Sequence, residues 1–196
     1  MKTIKKNAKD EKKWELLKSE YLIRRPWLTA RRDHVRLPNG AEIPEYYVLE
    51  YPDWINVIAV TKEGQLVLIR QYRHGIGKTC FELCAGVCDE GEEPLTSAQR
   101  ELYEETGYGK GTWKLWMTVS ANPSTMTNMT YCFLATDVER ISGQHLEATE
   151  DISVHLMDKK DVRKLLTDGE IKQALMAAPL WKYFASEKNA MPDSET

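Results

Sequence analysis

The sequence lacks several features that would assign it to a class at once. No apolar run among its 196 residues reaches the roughly 20 residues that a membrane-spanning helix needs. The N-terminal stretch MKTIKKNAKDEKKW is basic but has no apolar segment, so it does not resemble a secretory signal peptide. The net charge of -3 offers no excess of positive charge for binding nucleic acid. We therefore expect a cytoplasmic protein with neither a membrane nor a nucleic acid as partner.

Cysteine is also scarce, with four residues in the whole chain. Cys80, Cys84 and Cys88 follow one another at every fourth position, and Cys132 is distant in sequence. This spacing is compatible with structural zinc. However, every fourth side chain of a strand that runs into a loop does not converge on one point. We predict reduced, partly buried thiols instead of a zinc site.

Short strand-like segments separated by turns make up most of the chain. The turn Pro38-Asn39-Gly40 predicts one hairpin, and Lys62-Glu63-Gly64 predicts a second, central hairpin whose flanking runs are rich in Val and Ile. The predicted strands are Val35–Leu37, Glu42–Glu50, Trp54–Thr61, Gln65–Arg73, Cys80–Ala85, Thr112–Ser120, Met129–Asp137 and Ile152–Leu156.

Helices are predicted mainly toward the C-terminus. Asp158 is placed as the N-cap of one helix, and Gly169 is placed to end it. A last helix is predicted over Glu170–Phe184, with a kink near Pro179. The Lys- and Glu-rich residues 1–20 indicate a short helix or a loose arm. Strands combined with helices in this order predict a mixed β-sheet covered by helices, an α/β fold.

The densest chemistry lies in a predicted helix between Pro94, which suits its first turn, and Gly107, which suits its C-terminal cap. At about 100° per residue, one stripe of this helix should face the core. That stripe consists of Leu95, Ala98, Leu102 and Thr106. Carboxylates then lie along its edge, at positions 101, 104 and 105. Such a cluster indicates either a solvated charged face or a site for a hard divalent cation.

The residues before the helix favour the cation site, because together with the helix they resemble a known metal-binding motif. The segment from position 86 to 108 is similar to the Nudix box, GxxxxxExxxxxxxRE, a hydrophobic residue, xEExG and a second hydrophobic residue. The matching residues are Gly86, Glu92, Arg100, Glu101, Leu102, Glu104, Glu105, Gly107 and Tyr108. The segments QYR at 71–73 and ELCAG at 82–86 resemble the ADP-ribose pyrophosphatase-like branch, with Cys84 in the place of a proline.

The resemblance implies an α/β/α sandwich around a mixed sheet and hydrolysis of a diphosphate within a nucleoside diphosphate derivative. Mg²⁺, or Mn²⁺ in its place, would be held by Glu101, Glu105 and the backbone carbonyl of Ala85, with help from Glu104. Four residues would mainly hold the loop and helix together: Gly86, Glu92, Arg100 and Gly107.

The resemblance also implies a general base from a loop outside the box. Glu150 matches that position best, Glu147 is second, and Glu104 stays open as a third candidate, whereas His145 is expected to be an exposed loop residue. Three residues would contact the substrate: Arg73, Glu82 and Pro123. Trp27 and Tyr46 are candidates for stacking on the base.

The substrate itself stays open at this point. The loop after Pro123 lacks the glycine and the acidic residue that the branch usually carries there. ADP-ribose or a related nucleoside diphosphate sugar is the first hypothesis, and GDP-mannose or NADH is the alternative. A non-catalytic metabolite sensor, and an enzyme acting on nucleoside triphosphates or capped RNA, are the remaining rivals.

The resemblance finally implies a division of the chain and an assembly. Residues 1–53 are expected to form an N-terminal helix and strand extension, residues 54–186 the Nudix hydrolase domain, and residues 187–196 a frayed tail. In the ADP-ribose branch such extensions pack across a two-fold interface. We therefore expect a homodimer, by analogy.

Overall fold

The computed structural model describes residues 12–190 of the chain. Contacts divide the chain into two compact units. The first consists of the chain up to Tyr51 together with the loop Asn122–Thr127, and the second consists of Pro52–Ala121 and the chain from Asn128 onward. No helix within the described range is long and apolar enough to cross a membrane.

The first unit is a three-stranded antiparallel sheet in the order β1-β2-β3. Its strands are β1 (Glu15–Arg25), β2 (Leu28–Arg36) and β3 (Glu42–Glu50). The predicted Pro38-Asn39-Gly40 turn joins β2 to β3, and the N–H of Gly40 donates to the carbonyl of Leu37 at 2.9 Å. The hairpin prediction is therefore confirmed.

A helix or loose arm was predicted over residues 1–20. This prediction was wrong from Glu15 onward, because those residues belong to β1. The remainder, residues 1–11, lies outside the described range. The acids that suggested a solvated helix instead pair with arginines of β2, since Glu15 lies 3.0 Å from Arg36 and Glu20 lies 2.9 Å from Arg32. Cross-strand ion pairs of this kind favour a sheet but leave no helical or alternating pattern in β1 alone.

The second unit contains a mixed eight-stranded sheet, in which β10 runs parallel to β4 and the other pairs are antiparallel. Its strands are β4 (Trp54–Thr61), β5 (Leu66–Arg73), β6 (Lys78–Glu82), β7 (Cys84–Val87), β8 (Tyr108–Gly109), β9 (Thr112–Val119), β10 (Thr130–Arg140) and β11 (Ile152–Met157). The central hairpin of β4 and β5 is confirmed. The single strand predicted over Cys80–Ala85 was wrong, because the chain changes partner at Leu83, from β5 to β4.

Helices cover both faces of this sheet, as expected for an α/β/α sandwich. They are α1 (Pro94–Thr106), α2 (Lys159–Thr167) and α3 (Ala174–Ala190). On one face, Ile58 and Leu68 pack with residues of α2 and α3 such as Val162 and Leu180. On the other face, Ile55, Val57 and Cys84 pack with Ala98 and Leu102 of α1. The sheet therefore separates two apolar layers, and α1 stands alone on its side.

The C-terminal helices differ from their predicted bounds in detail. Asp158 does occupy the N-cap position of α2, but its carboxylate accepts a hydrogen bond from the Gln65 amide and makes no capping bond. The last helix begins at Ala174, later than predicted, and contains Pro179. It continues to Ala190, inside the segment predicted as a tail, and residues 191–196 lie outside the described range.

The cysteine prediction is confirmed in its main point. Cys80, Cys84, Cys88 and Cys132 are all free and buried. Burial raises the pKa of Cys84 and Cys132, and that of Cys132 reaches about 11, so both stay protonated thiols at neutral pH. They act as small apolar side chains in the core.

One feature of the sheet positions the site described below. Strands β4 and β5 pair only through Ala59 with Val67 and Val60 with Leu66. Beyond these pairs the two strands separate, and β5 continues with β6 while β4 continues with β7. A cleft therefore opens within the second unit, between the diverging strands.

Candidate active site

The site is built on α1, whose two ends are set by local chemistry. Pro94 occupies the first turn, where a missing N–H has no helical partner to lose. Gly107 ends the helix with φ 73°, a left-handed conformation that glycine adopts without strain. Both predictions are confirmed. Of the predicted apolar stripe, Ala98, Leu102 and Thr106 are buried, but Leu95 in the first turn is 40% exposed, so its assignment to the core was wrong.

Two acids of α1 lie against strand β7. Glu105 is only 3% exposed, and its carboxylate accepts a hydrogen bond from the backbone N–H of Ala85 at 3.1 Å. Glu101 lies on Gly86, since a Cβ atom added to that glycine would stand 2.1 Å from the Glu101 carboxyl carbon. Any larger residue at position 86 would displace this carboxylate. Gly86 is therefore required by the space that Glu101 occupies.

Arg100 holds the loop before α1 to the helix. Its guanidinium donates to Glu92 at 3.1 Å and to the carbonyl of Val87 at 3.2 Å. The same group donates to Glu101 at 2.8 Å and to Glu104 at 3.2 Å. Arg100 therefore orients two acids of the cluster while it ties down the loop that leads into α1.

Glu92 has a second partner besides Arg100. The hydroxyl of Ser97, a fully buried residue of α1, donates to the Glu92 carboxylate at 2.6 Å. These bonds lower the pKa of Glu92 and keep it ionised. Glu92 therefore acts as a fixed anion that anchors Arg100.

The electrostatics of the inner acids are different. Burial, together with the charges of Glu101 and Glu150, raises the pKa of Glu105 to about 8 against the opposing hydrogen bonds from Cys84 and Ala85. Burial also raises the pKa of Glu101, and the charges of Glu104 and Glu150 act in the same direction, while Arg100 opposes them. The nearest guanidinium therefore does not neutralise the cluster, and a cation beside Glu105 would stabilise its ionised form.

The donor set fits a hard divalent cation. No three His, Cys, Asp or Glu side chains among residues 12–190 are already arranged around a common point. Mg²⁺ does not require that, because it usually takes one or two carboxylates and completes its shell with waters and substrate phosphates. The carboxylate oxygens of Glu101, Glu104 and Glu105 are of the type that this chemistry requires.

The loop after β10 is fastened to the C-terminal end of α1. The side-chain amide of Gln144 donates to the carbonyl of Glu105 at 2.8 Å, and the N–H of His145 donates to the carbonyl of Glu104 at 2.8 Å. The carbonyl of Gly107 accepts from the N–H groups of Ile141 and Ser142. The loop therefore has a fixed position relative to the acids.

This loop brings Glu150 close enough to the cluster for its charge to raise the pKa of both Glu101 and Glu105. Its carboxylate accepts the N–H of Glu147 at 2.8 Å, which holds it in a turn. Glu147 itself is exposed, and His145 is an exposed residue whose ring stacks on Tyr103 at 4.9 Å. Of the two loop acids, the geometry favours Glu150 as the one that acts on the cluster.

Arg73 and Glu82 form a partly buried pair on the β5–β6 side of the cleft. The Nε atom of Arg73 lies 2.9 Å from one carboxylate oxygen of Glu82 and 3.1 Å from the other. Glu82 is only 2% exposed, whereas the Arg73 side chain is 41% exposed. The buried acid therefore orients an arginine that still reaches solvent and can receive a phosphate.

Three predicted substrate residues lie in the first unit. Pro123 is exposed in the loop Asn122–Thr127, and Trp27 is 78% exposed between β1 and β2. The hydroxyl of Tyr46 donates to the carbonyl of Ser124 within the same unit. Their roles toward the substrate stay predictions.

Sequence reasoning did not find the cleft between β4 and β5. It has a volume of about 360 Å³, and its walls include Trp54, Asn56, Arg73, Ala85, Thr130 and Gln173. Apart from Arg73, its polar residues come from distant parts of the chain and form no motif, so no local signal could have found them.

Comparisons with known proteins agree with this geometry. The model of the NUDIX domain matches residues 51–178, and the model of the nucleoside diphosphate sugar hydrolase N-terminal domain matches residues 14–49. The chain belongs to the Nudix family. The resemblance inferred from the box is therefore confirmed, and the protein is a Nudix hydrolase. Members of this family generally use a divalent metal.

Several relatives resemble this Nudix protein over most of its length. The ADP-ribose pyrophosphatase of Bacillus subtilis (strain 168) is 31% identical over 147 residues, which cover 74% of this chain and 78% of the relative. The ADP-ribose pyrophosphatase of Mycobacterium tuberculosis (strain ATCC 25618 / H37Rv) is 30% identical over 172 residues, covering 86% and 82%.

A solved structure also supports the fold. The crystal structure of an ADP compounds hydrolase superposes with a TM-score of 0.79 at 22% identity and covers 91% of this chain and 96% of its own. The α/β/α sandwich predicted for this Nudix chain is therefore confirmed.

The raised pKa of Glu105 predicts a pH-dependent stability of the metal-free protein. Between about pH 4.5 and pH 8 the unfolded chain releases this proton while the folded protein keeps it, so the free energy of unfolding falls as pH rises. Glu105→Gln mimics the protonated acid and should reduce that fall by roughly 3 kcal/mol. Urea unfolding in EDTA at pH 5 and pH 8 measures it.

The exposed turn residue Glu63 provides the matched control. Glu63→Gln should leave the fall in stability between the two pH values as it is in the wild type. An equal slope in the Glu105→Gln variant would contradict the effect assigned to burial of this carboxyl.

Proposed function

We propose that the protein is a Mg²⁺-dependent pyrophosphohydrolase that cleaves ADP-ribose or a related nucleoside diphosphate sugar to a nucleoside monophosphate and a sugar phosphate. The observation that carries the proposal is the set of carboxylates packed on β7, Glu101 on Gly86 and Glu105 on Ala85, with Glu150 nearby. The names of the two relatives described above support the choice of substrate.

In this proposal the acids of α1 hold the metal and Arg100 keeps two of them in place. Glu101, Glu105 and the carbonyl of Ala85 are the proposed ligands, with Glu104 directly or through water. Bound Mg²⁺ would neutralise charge that develops on the diphosphate and lower the pKa of a bound water. The guanidinium of Arg73, oriented by Glu82, would bind a phosphate oxygen.

The reaction needs a base that takes a proton from the attacking water. We assign this role to Glu150, because its charge acts on both inner acids and its own turn holds the carboxylate in place. The hydroxide formed would attack one phosphorus, and the bridging oxygen would leave with the other phosphate. The fixed attachment of the loop through Gln144 would keep this geometry constant during the reaction.

The first prediction of this proposal concerns the metal ligand. ADP-ribose should be hydrolysed with Mg²⁺ and not with EDTA, and Glu105→Gln should lower kcat by roughly 10³-fold because one charged ligand is lost.

Product release from ADP-ribose, GDP-mannose, NADH and a nucleoside triphosphate is compared in one series. Near-wild-type turnover of the folded variant would exclude the proposed metal site. If GDP-mannose or NADH were hydrolysed faster than ADP-ribose, that compound would be assigned as the substrate instead.

A second prediction separates the two loop acids. Glu150→Gln should lower kcat by roughly 10²-fold or more, since general-base catalysis contributes at least this much. Glu147→Gln, the same change three residues away in the same loop, should leave kcat within roughly twofold of the wild type. If the losses were reversed, Glu147 would be the base. If neither variant lost activity, the base would lie elsewhere, with Glu104 as the next candidate.

We also propose a homodimer formed through the first unit, and a cytoplasmic location. The sheet of this unit exposes several large apolar side chains, including Leu16, Leu22, Ile23, Trp27 and Tyr47. Leu16, Leu22 and Ile23 lie on the edge strand β1, and exposed apolar side chains at a sheet edge usually meet a partner. Four buried cysteines without disulfides suit a reducing compartment.

The dimer is tested by its mass in solution. Light scattering should give twice the chain mass of 22.6 kDa. Leu22→Arg should shift the mass toward the monomer, because it places a charge among the exposed apolar side chains of β1. Leu156→Arg, the same change at a similarly exposed position of the second unit, should leave the mass unchanged. A monomeric wild-type protein would remove the proposal.

A further inference from the structure

The cleft between the diverging strands β4 and β5 contains buried polar atoms without partners. Thr130 is 2% exposed, and its hydroxyl oxygen has no hydrogen-bond partner among the described residues. The side-chain carbonyl oxygen of Gln173 is likewise buried without a partner in that range. Both residues line the cleft. The side-chain oxygen of Asn56, a third residue of the cleft, is also buried without a partner among the described residues. Because an unpaired buried polar atom destabilises a protein, several in one cleft indicate that a ligand supplies missing partners.

The backbone holds the Thr130 and Gln173 oxygens in fixed places. Thr130 begins β10 and pairs with Trp54 on one side and Val119 on the other. The carbonyl of Gln173 accepts the N–H groups of the first turn of α3. The amide of Asn56 on β4 donates to the carbonyl of Leu175 at 2.8 Å and so fastens the start of α3 to the sheet.

The cleft adjoins the catalytic acids through two residues that they share. Ala85 and Gly86 line the cleft, and the same residues contact Glu105 and Glu101. Arg73 lies on the wall opposite them. A diphosphate bound between the acids and Arg73 would therefore extend one of its two arms into the cleft.

The size and chemistry of the walls indicate which arm this is. At about 360 Å³ the cleft lies near the lower end of ligand pockets, roughly 300–1,000 Å³, and holds part of a nucleoside diphosphate sugar. The Thr130 hydroxyl and the Gln173 carbonyl can both accept from hydroxyl groups. Trp54 supplies an apolar wall on which the C–H face of a sugar ring can pack.

We propose that this cleft binds the sugar half of the substrate, and that Thr130 and Gln173 recognise its hydroxyl groups. The inference rests on the proposed function and adds to it the residues that distinguish the sugar from other groups on the second phosphate.

The test compares ADP-ribose with a probe that lacks the sugar. The methyl ester of ADP, with methyl on the terminal phosphate, keeps the nucleotide and the diphosphate. Thr130→Val and Gln173→Met should each lower kcat/KM for ADP-ribose by roughly fivefold to tenfold through the loss of one hydrogen bond. The inhibition constant of the methyl ester against ADP-ribose hydrolysis should stay within roughly twofold of the wild type.

Thr136→Val is the matched control, because Thr136 lies on the same strand but does not line the cleft. It should change neither constant. The Tm of Thr130→Val should stay level or rise, since the hydroxyl removed has no hydrogen-bond partner within residues 12–190. A structural role for Thr130 would instead lower the Tm.

Three outcomes would overturn the inference. Unchanged kcat/KM for ADP-ribose in both variants would show that these atoms do not contact the sugar. An equal weakening of ADP-ribose and the methyl ester would assign the cleft to the nucleotide half. A fall in kcat/KM that is accompanied by a lower Tm of the same variant would show that the residue has a structural role instead. Failure of the proposed function is distinct, because the wild-type protein would then not hydrolyse ADP-ribose at all.

Discussion

Burial of the carboxylates at the edge of α1, reinforced by their mutual repulsion, is the constraint on which the rest of the site depends. Two unit charges about 4 Å apart repel by roughly 4 kcal/mol at the dielectric typical of a protein surface. Arg100 relieves this for Glu101 and Glu104, but burial of Glu105 outweighs the hydrogen bonds that its carboxylate receives from Ala85 and Cys84. A free carboxylate there is unstable until a cation arrives. Metal binding and the reaction are thereby linked to one unfavourable charge.

The arrangement of the sheet places a cleft, which could hold a substrate, next to this charge. Strand β7 carries the acids of α1 on one side, and the separation of β4 from β5 leaves a cleft beside the same backbone. Arg73 occupies the other wall. In the proposed function, an anionic group would be drawn to the place where a cation, an arginine and this cleft meet. Each of these elements comes from a different part of the second unit.

The sequence predicts the parts of this site that depend on local chemistry. The α1 helix, its ends at Pro94 and Gly107, and the acids between them all follow from residues within one segment. Strand β1 was not predictable, because its acids find their partners in β2, and neither strand shows the pattern alone. The break at Leu83 and the cleft around Thr130 and Gln173 also depend on residues distant in sequence. Turns and caps are encoded locally, whereas cavities are not.

Gly107 has a meaning beyond the end of a helix. A Cβ atom at this position would stand 2.4 Å from the carbonyl oxygen of Ser142, at the start of the loop that carries Glu150. The lack of a side chain at Gly107, within the Nudix box, is therefore explained by the backbone of a loop that lies outside the box. The backbone of that segment can pass the end of α1 at this distance because position 107 has no side chain. The small size of one residue in the helix thus fixes the path of the loop that carries Glu150.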